Sequence, residues 1–293
     1  MFQVASHPTS FAMHGHGYQQ STHSSSSVSP TVQLPRTLQR PSFADVSRDA
    51  IITASPECAD VPAEYLRRGL RARTSELLDG ISSLSVSHIP SSMPRSHLPR
   101  SLTIPLHPSS SHSSSLPTHI LAISSSRGPA SPADQLRFYP VHSIVIAAQC
   151  ASFPRISAPT HQSLRATRIE LPVVEVKLPS PAAFSLIHSY LYNHRLDKVL
   201  KSLYPMPSSF LQTASHQSIR TTLGSGTALH TLSMYLCTSA SSNLQTLMTH
   251  AAHIKELWQD MAALGIHEPE LWDTLDLAWE VLLGALNLAA GGH

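Results

Sequence analysis

Cysteine is scarce in this chain: three residues in 293, Cys58, Cys150 and Cys237, each standing alone. Without a CxxC pair or a ligand-like spacing, a structural zinc site and a dithiol redox centre are both excluded, and a reduced intracellular compartment fits. No apolar run reaches the roughly eighteen residues of a membrane-spanning helix, and the opening MFQVASHPTSFAMHGHG lacks the regions of a signal peptide. The expectation is a soluble protein of the cytoplasm or nucleus, with no membrane partner. HExxH, GxSxG, GxGxxG and P-loop patterns are missing too, so no convergent polar constellation points to an enzyme or to a cofactor. Charge is sparse at 13% of residues, with a formal net charge of +2.

What is abundant is serine and proline, unevenly spread. Residues 1–135 hold 30 Ser and 14 Pro, about a third of that stretch. Such composition buries too little apolar surface to offset the entropy of ordering it. It predicts disorder over 1–60, a short helix over 61–84 and a linker over 85–99. In the helix, Pro62 suits the first helical position, and Tyr65, Leu66, Leu70, Leu77, Leu78 and Ile81 form an imperfect stripe. Arg67, Arg68, Arg71 and Arg73 crowd it, and read either as a solvated face or as an import or nucleic-acid patch. The solvated face is the favoured reading because no aromatic residues interleave the arginines. Charge is also asymmetric: 250–293 carries seven acids against Lys255, a balance of −6, leaving +8 on the rest. That acidity is either a solvated helix face or a docking surface.

Residues 100–293 read as one α+β domain. RSLTIPL (100–106) and THILAI (118–123) have strand composition, and RFYPVH (137–142) is a strand confined to an edge by Pro140. HSIVIAAQCASF suits a buried helix stopped by Pro154, with Cys150 an inert core thiol. VVEVKL alternates, placing Val174, Val176 and Leu178 on one side. Ser180 and Pro181 then open a helix that ends near Asn193. Loops over 155–169 and 205–226 are expected to be flexible. In the last quarter Asn243 caps a helix, Gly265 ends it, and Pro269 opens the next, with Trp272 and Trp279 on its apolar side. Two such helices form an antiparallel hairpin that must bury its stripe on the domain or on a partner. Of 19 histidines, His250 and His253 share a helical face but have no third metal ligand nearby.

The segments FYPVHSIVIAAQCASF (138–153) and VVEVKLPSPAAFSLIHSYLYNHRL (173–196) resemble the core of a BTB/POZ domain. The resemblance implies a small sheet flanked by helices, with His142, Phe153, Phe184 and Tyr190 as structural core and His142 a buried hydrogen-bonded imidazole. It also implies action by protein–protein interaction, with homodimerisation as one mode. THILAI lacks the usual Asp and Ser143 replaces a basic residue, so the charged pocket of repressor-type relatives does not carry over. The whole chain, with its basic Ser/Pro-rich N-terminus, SLTIPLHPS, THILAI and FYPVHSIVIAAQC followed by LPSPAAFSLIHSYLYNHRLDKVL, also resembles the clampless protein family of basidiomycete fungi. Membership would imply a non-enzymatic regulator of clamp-cell formation and mating, downstream of mating-type homeodomain transcription factors, which with other regulatory proteins become the expected partners. The alternative is a direct nucleic-acid-binding regulator using the Arg67–Arg73 helix.

Overall fold

The structure is a computed structural model that describes residues 34–107, 115–157 and 167–291. It is mixed α/β. The strands are β1 (Ser92–Pro94), β2 (Ser101–Pro105), β3 (His119–Ser125), β4 (Gln135–Val141) and β5 (Arg168–Leu178), in the spatial order β1-β4-β3-β5-β2. β3 and β4 form an antiparallel hairpin, and β5 lies parallel to β3.

β5 serves two neighbours in turn. Its first half, to Pro172, pairs with β2, and from Val173 onward it pairs with β3. Pro172, which has no N–H to give, sits at the handover. Pro140 is tolerated for a related reason: β1 covers only Gln135 to Arg137 of β4, so Pro140 lies on an open edge.

β3 is buried on both faces. Ile120 and Ala122 join Ile104, Phe138, Ile169 and Leu171 on one side, while Leu121 and Ile123 face the helices with Val141, Val176 and Leu178. A strand sandwiched in this way carries apolar residues at successive positions rather than at alternate ones.

The helices are α1 (Arg48–Ala54), α2 (Ala63–Ala72), α3 (Thr74–Ser82), α4 (Ser143–Gln149), α5 (Phe184–Asn193), α6 (Leu196–Leu203), α7 (Ser208–Gln212), α8 (His216–Leu223), α9 (Gly226–Ser239), α10 (Leu244–Leu264) and α11 (Pro269–Gly291). The Asn243 side chain accepts from the Thr246 N–H at the start of α10, and Gly265 ends it at φ +62°. The expected hairpin of α10 and α11 forms, but α11 is buried on more than one stripe. Leu271, Trp272, Thr274, Leu277, Ala278, Trp279, Val281 and Leu282 are all buried, because α6, α8, α9 and α10 surround it.

Main chain joins the sheet part to the helical part. Past the end of α4, the Ala151 and Ser152 N–H groups donate to the Gly265 and Leu264 carbonyls, and the His267 N–H donates to the Gln149 carbonyl. A Cβ at position 265 would lie 2.7 Å from Ser152 Oγ, so glycine is required there for space as well as for its positive φ.

Several expectations need correction. Residues 1–33 lie outside the described residues, but 34–60 are not disordered: Leu38, Val46, Ile51 and Ala54 are buried and α1 packs on α4. The 61–84 helix is two helices, broken at Arg73, and Pro62 stands just before the first rather than inside it. The 85–99 linker contains β1, an edge strand. Of the 155–169 loop, Ile156 is buried and 168–169 belong to β5, while 158–166 lie outside the described residues. The 205–226 loop contains α7 and α8, the latter opened by a Ser215–Ser218 capping box and anchored by buried Ile219. In each case a few apolar residues dock on a formed core and offset an ordering entropy that average composition overstates.

Candidate functional site

The β3–β4 hairpin delivers His142 to the start of α4, where the ring is buried. Its Nε2 lies 2.9 Å from the Ser115 carbonyl, which can only accept, so the proton sits on Nε2. Nδ1 is then an acceptor, 3.0 Å from the Tyr192 hydroxyl, while that hydroxyl accepts from the His142 backbone N–H at 2.9 Å. All three polar atoms are satisfied only if the imidazole is neutral. Burial presses the same way and lowers the His142 pKa to about 4, against the opposing Ser115 bond.

An aromatic cluster surrounds this joint. The Tyr139 ring meets Phe184 edge-on at 5.0 Å, and His188 lies 5.2 Å from Tyr192 while its Nε2 donates to the Pro140 carbonyl. Of the other expected core residues, Phe184 and Tyr190 are fully buried and Phe153 is partly buried against the same core. The Tyr190 hydroxyl finds no partner among the described residues. Cys150 is buried, and desolvation pushes its thiol up to about 12, which leaves it unreactive.

The four arginines do not form a patch. Arg67 donates to the Ala148 carbonyl at the end of α4, with Asp45 at 4.0 Å; Arg68 faces Glu64 at 3.5 Å; Arg73 is bound by Glu76. Arg71 reaches across to Glu268 and Glu270 at the start of α11. Burial holds Glu268 above the usual carboxylate range, with Arg71 opposing it. Asp260, unremarked in the sequence, is buried on α10, where one oxygen accepts from the Ser180 N–H at 2.8 Å. Burial pushes its pKa up to about 7, against that bond. His250 turns Nδ1 to the Leu203 carbonyl, and no group of three or more His, Cys, Asp or Glu gathers as a metal site among the described residues.

The acidic excess of the C-terminal quarter is met by the chain's own N-terminal side. Residues 34–46 cross α10 and α11 as a strap with no helix. Arg40 binds both Asp273 and Asp276, with Nε 3.0 Å from Asp276. The Trp258 and Trp279 indole N–H groups donate to the Gln39 and Pro35 carbonyls at 3.0 and 3.1 Å. Hydrogen bonds from Arg40 and His216 keep Asp273 below the usual carboxylate range despite burial. Local sequence patterns missed this strap because its partners lie more than 200 residues away.

The solvent-facing apolar side chains include Met234 and Tyr235 on α9. Gly284 lets α9 approach α11 closely, since a Cβ there would lie 2.3 Å from Ser233 Oγ. Fold and site together define a mixed α/β protein whose buried histidine is a structural joint and whose charged groups are largely spent on internal clasps. Family models described as the Clampless protein 1 N-terminal and C-terminal domains match residues 41–179 and 197–293, more than three quarters of the chain. The chain belongs to the clampless protein family. It is 26% identical over 118 residues, 40% of its length, to Clampless protein 1 of two Cryptococcus neoformans serotype D strains, JEC21 and B-3501A. That match spans only 21% of those relatives' length. No solved structure matches the chain. No helix among the described residues is long and apolar enough to cross a membrane.

Proposed function

We propose that this chain is a non-catalytic regulator of clamp-cell development in basidiomycete mating, acting by binding other proteins. Membership of the clampless family carries the developmental part of the reading. The exposed pair Met234 and Tyr235 on α9 supports the binding part, since large apolar side chains left in water favour a partner's surface. A BTB/POZ-like core is the finer reading of the scaffold. It is supported by the hairpin that leads through His142 into α4, and by the parallel β5 that turns at Ser180-Pro181 into α5. Action in the nucleus, downstream of mating-type homeodomain factors, belongs to the same proposal. The Arg67–Arg73 segment gives the nucleic-acid alternative no support, because each of its four arginines faces a carboxylate within the chain.

The test is complementation in a clamp-forming dikaryon that lacks the gene. The wild-type chain restores clamp connections, and a Met234→Asp, Tyr235→Asp chain does not, although it melts within a few degrees of wild type. Full restoration by that double variant would remove α9 from the proposal.

A further inference from the structure

The strap over α10 and α11 is built like a bound peptide. Residues 34–46 contribute no helix and no named strand, and they are held by four kinds of contact. Two indole N–H groups, Trp258 and Trp279, take main-chain carbonyls, which recognises an extended backbone whatever its side chains. Two carboxylates, Asp273 and Asp276, share the single guanidinium of Arg40. His267 faces the Phe43 ring at 4.1 Å. Leu38 supplies the buried apolar anchor, two residues before Arg40 and five before Phe43.

This occupant is lightly held. Phe43 is 66% exposed, and Leu38 and Val46 are its only buried hydrophobic residues. A segment with so few buried side chains and no ladder of backbone bonds opens at small cost. When it lifts, it uncovers two indole donors and two carboxylates on the part of the chain whose balance is −6, a surface that attracts cations.

We infer that the α10–α11 groove is a docking site for an extended basic peptide of another protein. That peptide carries an apolar residue, an arginine two positions later and an aromatic three further on, and residues 34–46 are its displaceable occupant in cis. Tethering gives the strap an effective concentration of roughly millimolar, so it screens out weak ligands and yields to strong ones. The inference goes beyond the α9 reading and stands whether or not α9 binds anything.

The experiment uses the full chain and a fluorescein-labelled probe peptide with the sequence of residues 34–46, followed by fluorescence anisotropy. Arg40→Ala weakens the cis strap, so at low salt this variant binds the probe about threefold more tightly than wild type, equivalent to about 0.65 kcal/mol. Adding Asp273→Asn, or Trp258→Phe, which keeps an aromatic ring and removes the N–H, reverses the gain. A probe with alanine in place of its central arginine binds about threefold more weakly. Equal binding by wild type and Arg40→Ala overturns the inference, as does binding that Asp273→Asn and Trp258→Phe leave untouched. A wild-type chain that runs as a dimer, and as a monomer once Arg40 is replaced, also overturns it, because the occupant would then be a second copy's strap.

Discussion

The His142 joint and the Arg40 strap both tie distant parts of the chain together, yet they use opposite chemistry. At His142 every polar atom is neutral, buried and paired within the core. At Arg40 the groups are charged, and the arginine side chain is 40% exposed. The first arrangement withstands salt but fails when protonated. The second weakens as ions screen it, and burial raises the pKa of its Asp276 carboxyl, with the Arg40 bonds opposing. One chain thus holds a buried neutral joint and a partly exposed charged one, and the difference lies in where water reaches.

Breaking the core under the strap has the largest expected effect. Trp279→Ala removes a buried indole from α11 and its bond to Pro35, and is expected to cost about 3–5 kcal/mol in urea unfolding. A loss below about 1 kcal/mol would mean that α11 is not the enclosed helix described.

Acid comes next. The folded His142 pKa of about 4 lies below its ordinary 6.5, so the folded state binds fewer protons than the unfolded state between those values. Its contribution is present above pH 6.5 and is lost as pH falls toward 4, on the order of 3 kcal/mol in all. His194, lowered by burial to about 4, adds in the same direction. Asp260 opposes them: its folded pKa is raised to about 7, so its contribution is complete below the ordinary carboxylate value and fades as pH rises toward 7. Denaturant melts from pH 7.5 to 4 measure the balance. His142→Leu leaves the Tyr192 hydroxyl without its acceptor and is expected to cost about 1–3 kcal/mol at neutral pH. It should also flatten the acid limb, and an unchanged limb would exclude His142 as its source.

The smallest effect separates the two joints most cleanly. Arg40→Ala is expected to cost under about 1 kcal/mol at low salt, and almost nothing at roughly 1 M salt, where screening acts within about 3 Å. The cost of His142→Leu should not change with salt.

Much of the scaffold could be read locally. The alternation of Val174, Val176 and Leu178, the Asn243 cap, the Gly265 stop and the Pro269 opening all reappear, because each depends on neighbours a few residues away. Ser180 misled: it reads as a cap, but Asp260 claims its backbone N–H and the helix begins at Phe184. The strap was illegible for the same reason on a larger scale, since Arg40 looks like one more charge in a Ser/Pro tail until Asp273 and Asp276 are placed beside it. His142 could be singled out by its likeness to a family core. Its partner Tyr192, fifty residues on, is legible only once the hairpin and α5 have met.

The backbone bonds linking 149–152 to 264–267 have an evolutionary corollary. A joint made of main-chain groups asks nothing of side-chain hydrogen bonding, so what restricts Gln149, Cys150, Leu264 and Ile266 is their burial and not the joint itself. At Gly265 the joint itself restricts identity, through a φ of +62° and the nearness of Ser152. In a diverged relative, a glycine at that position would mark the same close approach of the two main chains.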